Sequence, residues 1–150
     1  MGADSMIHTD IVPGSAPALK TLTARLSAEL LAITGDNGTH HFTPSDGALW
    51  ILATDEVGNA VGCGALVHVS AETAELKRMF STRQHAGTGA ALLSALEQLA
   101  RARGYKAIRL STRVVNTRAV AFYQRHGYQQ TARYGVYKDK PVSVCLSKTL

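Results

Sequence analysis

Gln84, Gly87 and Gly89 stand in the stretch Gln84-His85-Ala86-Gly87-Thr88-Gly89-Ala90, directly between an expected strand and an expected helix. Two glycines at that junction let the backbone turn tightly, so an anion can approach the amides of the helix's first turn. Those amides, with the helix dipole, hold phosphate oxygens without needing a cation. The bland alternative is a plain strand-to-helix turn that happens to use glycine. Two other phosphate-binding patterns fail here. A P-loop needs Gly-x-x-x-x-Gly-Lys-Ser/Thr, and no lysine follows these glycines. A dinucleotide fingerprint wants a third small residue where Leu92 stands, and the next expected strand, Tyr105 to Thr112, carries no carboxylate.

The elements that position this loop follow from hydrophobic spacing. Ile7 to Val12 reads as a first strand; Ser15 is the expected N-cap of a helix with Pro17 in its first turn and Gly35 past its end. Leu19, Leu22, Leu26, Leu30 and Ile33 recur along it at helical spacing. Asp36 to Gly47 is polar and turn-rich, and a loop of that length is more often functional than idle. Ala48 to Ala53 and Ala60 to Val69 read as strands joined by a turn. Ala74 to Ser81 is a third, with Leu76, Arg78 and Phe80 expected on one face and Glu75, Lys77 and Met79 on the other.

The glycine loop then opens a helix carrying Leu92, Leu96 and Leu99, which Gly104 stops. The strand Tyr105 to Thr112 follows, then a helix from Asn116 to His126. Tyr128 to Tyr134 and Val142 to Ser147 close the chain as strands. The order β-α-β-β-β-α-β-α-β-β predicts an α/β domain over residues 1–150. Ala74 to Thr112 forms its right-handed parallel β-α-β crossover.

The loop matches Gln/Arg-x-x-Gly-x-Gly/Ala, and with it the sequence resembles the GCN5-related N-acetyltransferase (GNAT) family. Four signals from about Val61 to Tyr128 carry the resemblance. They are the strand Glu75-Leu76-Lys77-Arg78-Met79-Phe80-Ser81, the glycine motif with Ala90-Ala91-Leu92-Leu93, the strand ending near Ser111, and Asn116-x-x-Ala119-x-x-Phe122-Tyr123-x-x-x-Gly127-Tyr128. Two positions depart from the family pattern: Ala86 where arginine is frequent, and Thr88 between the glycines. The resemblance implies a mostly antiparallel, twisted mixed sheet around a central parallel cofactor-binding β-α-β unit.

It also implies acetyl-CoA as cofactor, its pyrophosphate on the amides of Ala86 to Gly89 beside Gln84 and Ala90. The pantetheine arm would pair with the edge of Met79-Phe80-Ser81, and the Phe80 amide would polarise the thioester carbonyl. Asn116, Ala119 and Phe122 fall on the cofactor side, although Asn116 serves equally well as a helix N-cap. Tyr123 matches the family's general acid and is otherwise a core aromatic; Glu75 matches its basic glutamate and is otherwise an exposed strand-end partner of Lys77.

The acceptor implied is a primary amine of a small molecule, such as an amino acid, attacking the thioester directly. His41 and Phe42 are candidate linings of its pocket, Tyr134 and Tyr137 further walls, and either Lys77 or Arg78 could hold a substrate carboxylate. His40 and His41 are adjacent and lack a Cys or acidic companion, so no metal site is expected.

Composition bounds these expectations. At 150 residues and 16.0 kDa, with 45% hydrophobic and 18% charged residues, the chain suits one folded domain. No apolar run approaches the roughly 18 residues of a membrane span, and MGADSMIHTD has no apolar core of a secretory signal. Two cysteines, Cys63 and Cys145, read as reduced buried thiols, which points to the cytoplasm. A net charge of +5 and pI of 9.5 suit an anionic partner. The basic residues are scattered without a block, and the excess suits any anionic partner, a small phosphorylated cofactor included. Composition alone does not choose, and it is the resemblance that implies the cofactor and no nucleic acid. A nucleic-acid binder and a catalytically idle CoA-binding domain are the competing readings, and the exposed C-terminal strands suit a homodimer.

Overall fold

In the computed structural model, residues 6–36 and 47–150 are described. His41 and Phe42 therefore lie outside the described residues. The elements run β1 (His8–Val12), α1 (Pro17–Thr34), β2 (Leu49–Thr54), β3 (Ala60–His68), β4 (Thr73–Ser81), α2 (Thr88–Ala102), β5 (Ala107–Arg113), α3 (Thr117–Arg125), β6 (Gln129–Thr131) and β7 (Ser143–Thr149). A 3-10 turn at Gly135–Tyr137 joins β6 to β7. Seven strands form one sheet in the order β1-β2-β3-β4-β5-β7-β6, and every neighbouring pair is antiparallel except β4 with β5. The expected order and the mixed sheet with its parallel crossover are both present.

Helices cover both faces. Leu19, Leu22 and Leu26 of α1 pack on Trp50, Cys63, Ala65 and Phe80. On the other face Leu92, Leu93, Leu96 and Leu99 of α2 pack with Val61, Leu66, Leu76, Ile108 and Leu110, and Tyr123 of α3 joins this cluster. Close approach of α2 depends on Gly62 in β3. A β-carbon there would meet Leu92 Cδ1 at 2.6 Å and the Phe80 carbonyl oxygen at 2.8 Å. The carbonyl is backbone and cannot swing away. Gly62→Ala is therefore expected to destabilise the fold by about 1–3 kcal/mol, the usual range for overpacking. Thermal denaturation reads it as a fall of about 2–4 °C per kcal/mol.

Three local expectations are corrected. Ala16, not Ser15, is the N-cap of α1, and it makes no side-chain cap bond; Pro17 enters the first turn as expected. The strand expected over Tyr128 to Tyr134 shrinks to the three residues of β6, after which the chain curls into the 3-10 turn so that Tyr137 can bury its ring. The faces of β4 are also not a simple alternation. Arg78 has φ +53, and the β3–β4 register shifts between Cys63 and Ala65. Arg78 and Met79 together oppose Gly64, which makes a bulge. Leu76 and Met79 consequently share the α2 face, while Arg78 reaches back to α1. No helix among the described residues is long and apolar enough to cross a membrane.

Candidate active site

The bulge has a consequence for the sheet. β4 and β5 pair only from Thr73–Ala107 to Glu75–Arg109, and beyond Glu75 the two parallel strands separate. The edge of β4 that faces β5 is thus left without a strand partner over Met79-Phe80-Ser81, among the described residues. A wedge opens in the middle of the sheet, with α1 on one side and α3 closing the other. What holds a non-glycine residue at a positive φ is its own side chain. Arg78 Nη2 donates to the Thr23 carbonyl at 2.8 Å and to Ser27 Oγ at 2.7 Å, both on α1.

Two clefts meet in the wedge. The larger, of 490 Å³, runs from Met79-Phe80-Ser81 past Ala86, Gly87, Thr88 and Gly89 to Phe122. Gly87 caps α2 in the left-handed conformation at φ +84, and the helix's first ladder bond is Ala91 N–H to the Gly87 carbonyl at 2.9 Å. The amides of Thr88, Gly89 and Ala90 precede that bond and are left open at the helix N-terminus, where Thr88 and Gly89 line the cleft. Thr88 Oγ1 donates to the His85 carbonyl at 2.9 Å, which fixes the loop, so this hydroxyl is structural. Phe122 packs against Gly89, where a β-carbon would stand 3.2 Å from its ring. Gln84 and Ala90 flank the loop but do not line the cleft.

Sequence reasoning missed Arg83, His85, Arg118 and Arg125, which also line this cleft. They are scattered along the chain, and only the fold gathers them. His85 Nε2 lies 3.2 Å from Asp55 Oδ2; Asp55 is held below the usual carboxylate range, chiefly by the Asn59 backbone N–H. Open amides, surrounding cations and an unpaired strand edge suit a long anionic ligand with an amide-bearing arm. The edge also corrects one expectation. Thr82 N–H bonds the Val61 carbonyl across β3 at 2.9 Å, and alternation along the ladder turns the Phe80 amide toward β3 as well. Met79 and Ser81 are the residues whose amides face the open edge.

The smaller cleft, of 180 Å³, lies between α1, β4, β5 and the 3-10 turn. Lys77, Arg78, Arg113, Asp36, Tyr137 and Ser143 line it. Simple alternation would turn just one of Lys77 and Arg78 toward the cofactor cleft, whereas both line this smaller cleft and neither lines the larger. The bulge is the reason. Met79, Asn116, Ala119 and Tyr123 line both clefts and mark where they join. Asn116 caps α3 by accepting from the Ala119 amide at 3.4 Å, so its cap role is present whatever else it touches.

Tyr123 is 7% exposed, packed edge-on to Phe122 and Tyr128, and burial pushes its phenol well above the ordinary value. Glu75 is placed differently from the expectation of an exposed strand end. It is buried, its Oε2 lies 2.8 Å from Lys77 Nζ and its Oε1 3.1 Å from Arg109 Nε, and it lines neither cleft. Lys77 also donates to the Tyr137 hydroxyl at 2.9 Å. Burial opposes the charge on Lys77, but the hydrogen bonds and charge of Glu75 and Tyr137 outweigh it and raise its pKa. The Arg109 guanidinium stacks 3.8 Å from the Tyr134 ring. Arg109 was missed as a partner of Glu75 because the two meet only across the parallel pairing. Cys63 and Cys145 are buried and free, and burial pushes the Cys63 thiol up to about 12, which suits a structural thiol. No cluster of three metal-ligating side chains occurs among the described residues.

Comparison with known proteins gives this arrangement its family. Residues 21–128 match the acetyltransferase (GNAT) family. The chain is 34% identical over 102 residues to an IAA acetyltransferase of Azospirillum brasilense, covering 66% of this chain and 67% of that protein. A crystal structure of a protein assigned as an acyl-CoA N-acyltransferase in Klebsiella pneumoniae superposes with a TM-score of 0.85 at 30% identity, covering 97% of this chain and 98% of that one. A GNAT family acetyltransferase from Elizabethkingia anophelis with acetyl-CoA bound shares the fold, with a TM-score of 0.70 at 20% identity over 96% of this chain and 98% of that one. This chain belongs to the GNAT acetyltransferases and is an acetyl-CoA-dependent N-acetyltransferase.

Proposed function

We propose that the enzyme acetylates a primary amine of a small molecule by direct attack in a ternary complex, the cofactor in the larger cleft and the amine in the smaller. The observation that carries this is the junction of the two clefts at Met79, Asn116, Ala119 and Tyr123. A nucleophile in one cleft and an acyl donor in the other need no covalent relay through the protein. Acetyl-CoA supplies the activated acetyl group as a thioester. The chain's own residues hold and orient. Amides of Thr88 to Ala90 take the pyrophosphate, and the Met79 and Ser81 backbone takes the pantetheine arm. The Met79 amide, next to the junction, replaces Phe80 as the donor to the thioester oxygen. Tyr123 keeps its proton because of burial and donates toward the departing sulfur.

Glu75 acts as a positioning residue that fixes Lys77 and Tyr137, since both its oxygens are engaged and neither cleft reaches it. The proton of the incoming ammonium passes to solvent at the open mouth of the smaller cleft. A ligand at about 100 times its Kd stabilises a fold by about 2.7 kcal/mol, so acetyl-CoA is expected to raise the melting temperature clearly. A thiol-release assay over a panel of small amines then tests the reaction. Absence of a shift at millimolar acetyl-CoA sinks the cofactor assignment. A shift without thiol release from any amine leaves a CoA-binding domain that does not catalyse.

A further inference from the structure

The smaller cleft has a charge pattern that discriminates among amines. Lys77, Arg78 and Arg113 line it, and the only carboxylate doing so among the described residues is Asp36, whose Oδ2 already lies 2.7 Å from Arg113 Nη2. Glu75 sits behind Lys77 and is shared with Arg109, so one carboxylate faces two cations and the triad keeps a net positive charge. The remaining polar groups facing the cleft from α1, β5, the 3-10 turn and β7 are uncharged: Thr34, Ser111, Thr112, Tyr137 and Ser143.

Arg78 adds an unmet demand. Its Nη2 is taken by Thr23 and Ser27, but its Nη1 is buried and has no hydrogen-bond partner. A buried guanidinium N–H without an acceptor is costly, and a carboxylate oxygen is the acceptor that relieves it best. Lys77 is held in place by Glu75 and Tyr137, so its ammonium is oriented before any ligand arrives. Both cations stand on β4, on the approach to the Met79–Tyr123 junction where the amine must attack.

We infer that the acceptor is an amine that also carries a carboxylate, held by Lys77 and Arg78 so that its amino group points to the junction. This rests on the reading of the smaller cleft as the acceptor site, and it narrows that reading to amino acids and related amino-carboxylic acids. Polyamines and aminoglycosides bring two or more positive charges into a cleft already rich in them, and are rejected. The carboxylate does more than bind: anchored on β4, it sets which amine of the molecule reaches the thioester.

The test is a thiol-release assay with acetyl-CoA on matched pairs, an amino acid against its own carboxamide, with a diamine of similar length as a third arm. The acid is expected to exceed its amide by about tenfold or more in kcat/KM, the discrimination of a lost charge-assisted hydrogen bond. Lys77→Met is expected to erase most of that preference, chiefly through a raised KM for the acid. Amides or diamines turned over as well as acids by the unaltered enzyme overturn the inference, whatever the variant does. If no amine of any class is acetylated while acetyl-CoA still raises the melting temperature, the acceptor-site reading itself fails, and this inference with it.

Discussion

Tyr123→Phe is expected to lower kcat by about 10²–10³-fold while leaving acetyl-CoA affinity and the fold nearly unchanged. The size follows from the state of the phenol. Burial raises its pKa, whereas a free thiol titrates near about 8.5, so complete proton transfer from Tyr123 to the leaving sulfur is uphill. The hydroxyl therefore works as a fixed donor to charge developing on sulfur, and the loss is that of one preorganised hydrogen bond. The ring stays in the variant, so its edge contacts with Phe122 at 5.2 Å and Tyr128 at 5.7 Å persist. A raised phenol also fixes the pH signature. Tyr123 remains protonated through the neutral and mildly alkaline range, so the ratio of native to variant kcat should be flat between about pH 7 and 9. Single-turnover acetyl transfer and a thermal shift with acetyl-CoA check both halves. An unchanged kcat, or a fall in kcat matched by loss of the acetyl-CoA shift, removes Tyr123 from the chemistry.

The motif running from Asn116 to Tyr128 singled out Tyr123 in the sequence, and the structure sets that residue at the junction of the two clefts. The order of elements was legible because leucines at helical spacing, followed by Gly35 and Gly104 at the helix ends, leave little choice of boundary. The geometry that opens the site was not. A bulge announced by glycine can be read from a sequence, but this one centres on Arg78, whose positive φ is sustained by Thr23 and Ser27 on a helix 55 and 51 residues away. Once the bulge is missed, every face assignment after Lys77 slips by one residue. Met79 then exchanges roles with Phe80, and Lys77 and Arg78 seem to diverge when they converge. Of the two tyrosines expected as pocket walls, Tyr137 lines the smaller cleft and Tyr134 lines neither. Their edge-on contact, and the packing of Arg109 on Tyr134, depend on a 3-10 turn that falls outside every element expected from the sequence.

Glu75→Ala is expected to cost about 2–3 kcal/mol of stability, near the lower bound for breaking a buried ion pair. The carboxylate itself is buried, but the Lys77 and Arg109 side chains are 17% and 28% exposed, so water recovers part of the loss. The pH dependence has a definite sign. Lys77 has a folded pKa raised above its unfolded value of about 10.4, so its contribution is complete below that value and disappears as pH rises through the folded one. Denaturant melts should show the native protein losing stability in strong alkali, and Glu75→Ala losing less there. The kinetic consequence separates positioning from proton transfer. If Glu75 only holds Lys77 and Tyr137, Glu75→Gln raises KM for the acceptor, and the kcat/KM profile of native and variant enzymes alike climbs toward the acceptor's own amine pKa, shifting when the acceptor is changed. A profile in the native enzyme that levels off at one pH for every acceptor, and loses that limb in Glu75→Gln with kcat down about 10²-fold or more, would return Glu75 to the part of general base. The ion triad makes the first result the expected one. A carboxylate that must release Lys77 or Arg109 before it can take a proton breaks the anchor of the acceptor cleft in the same step.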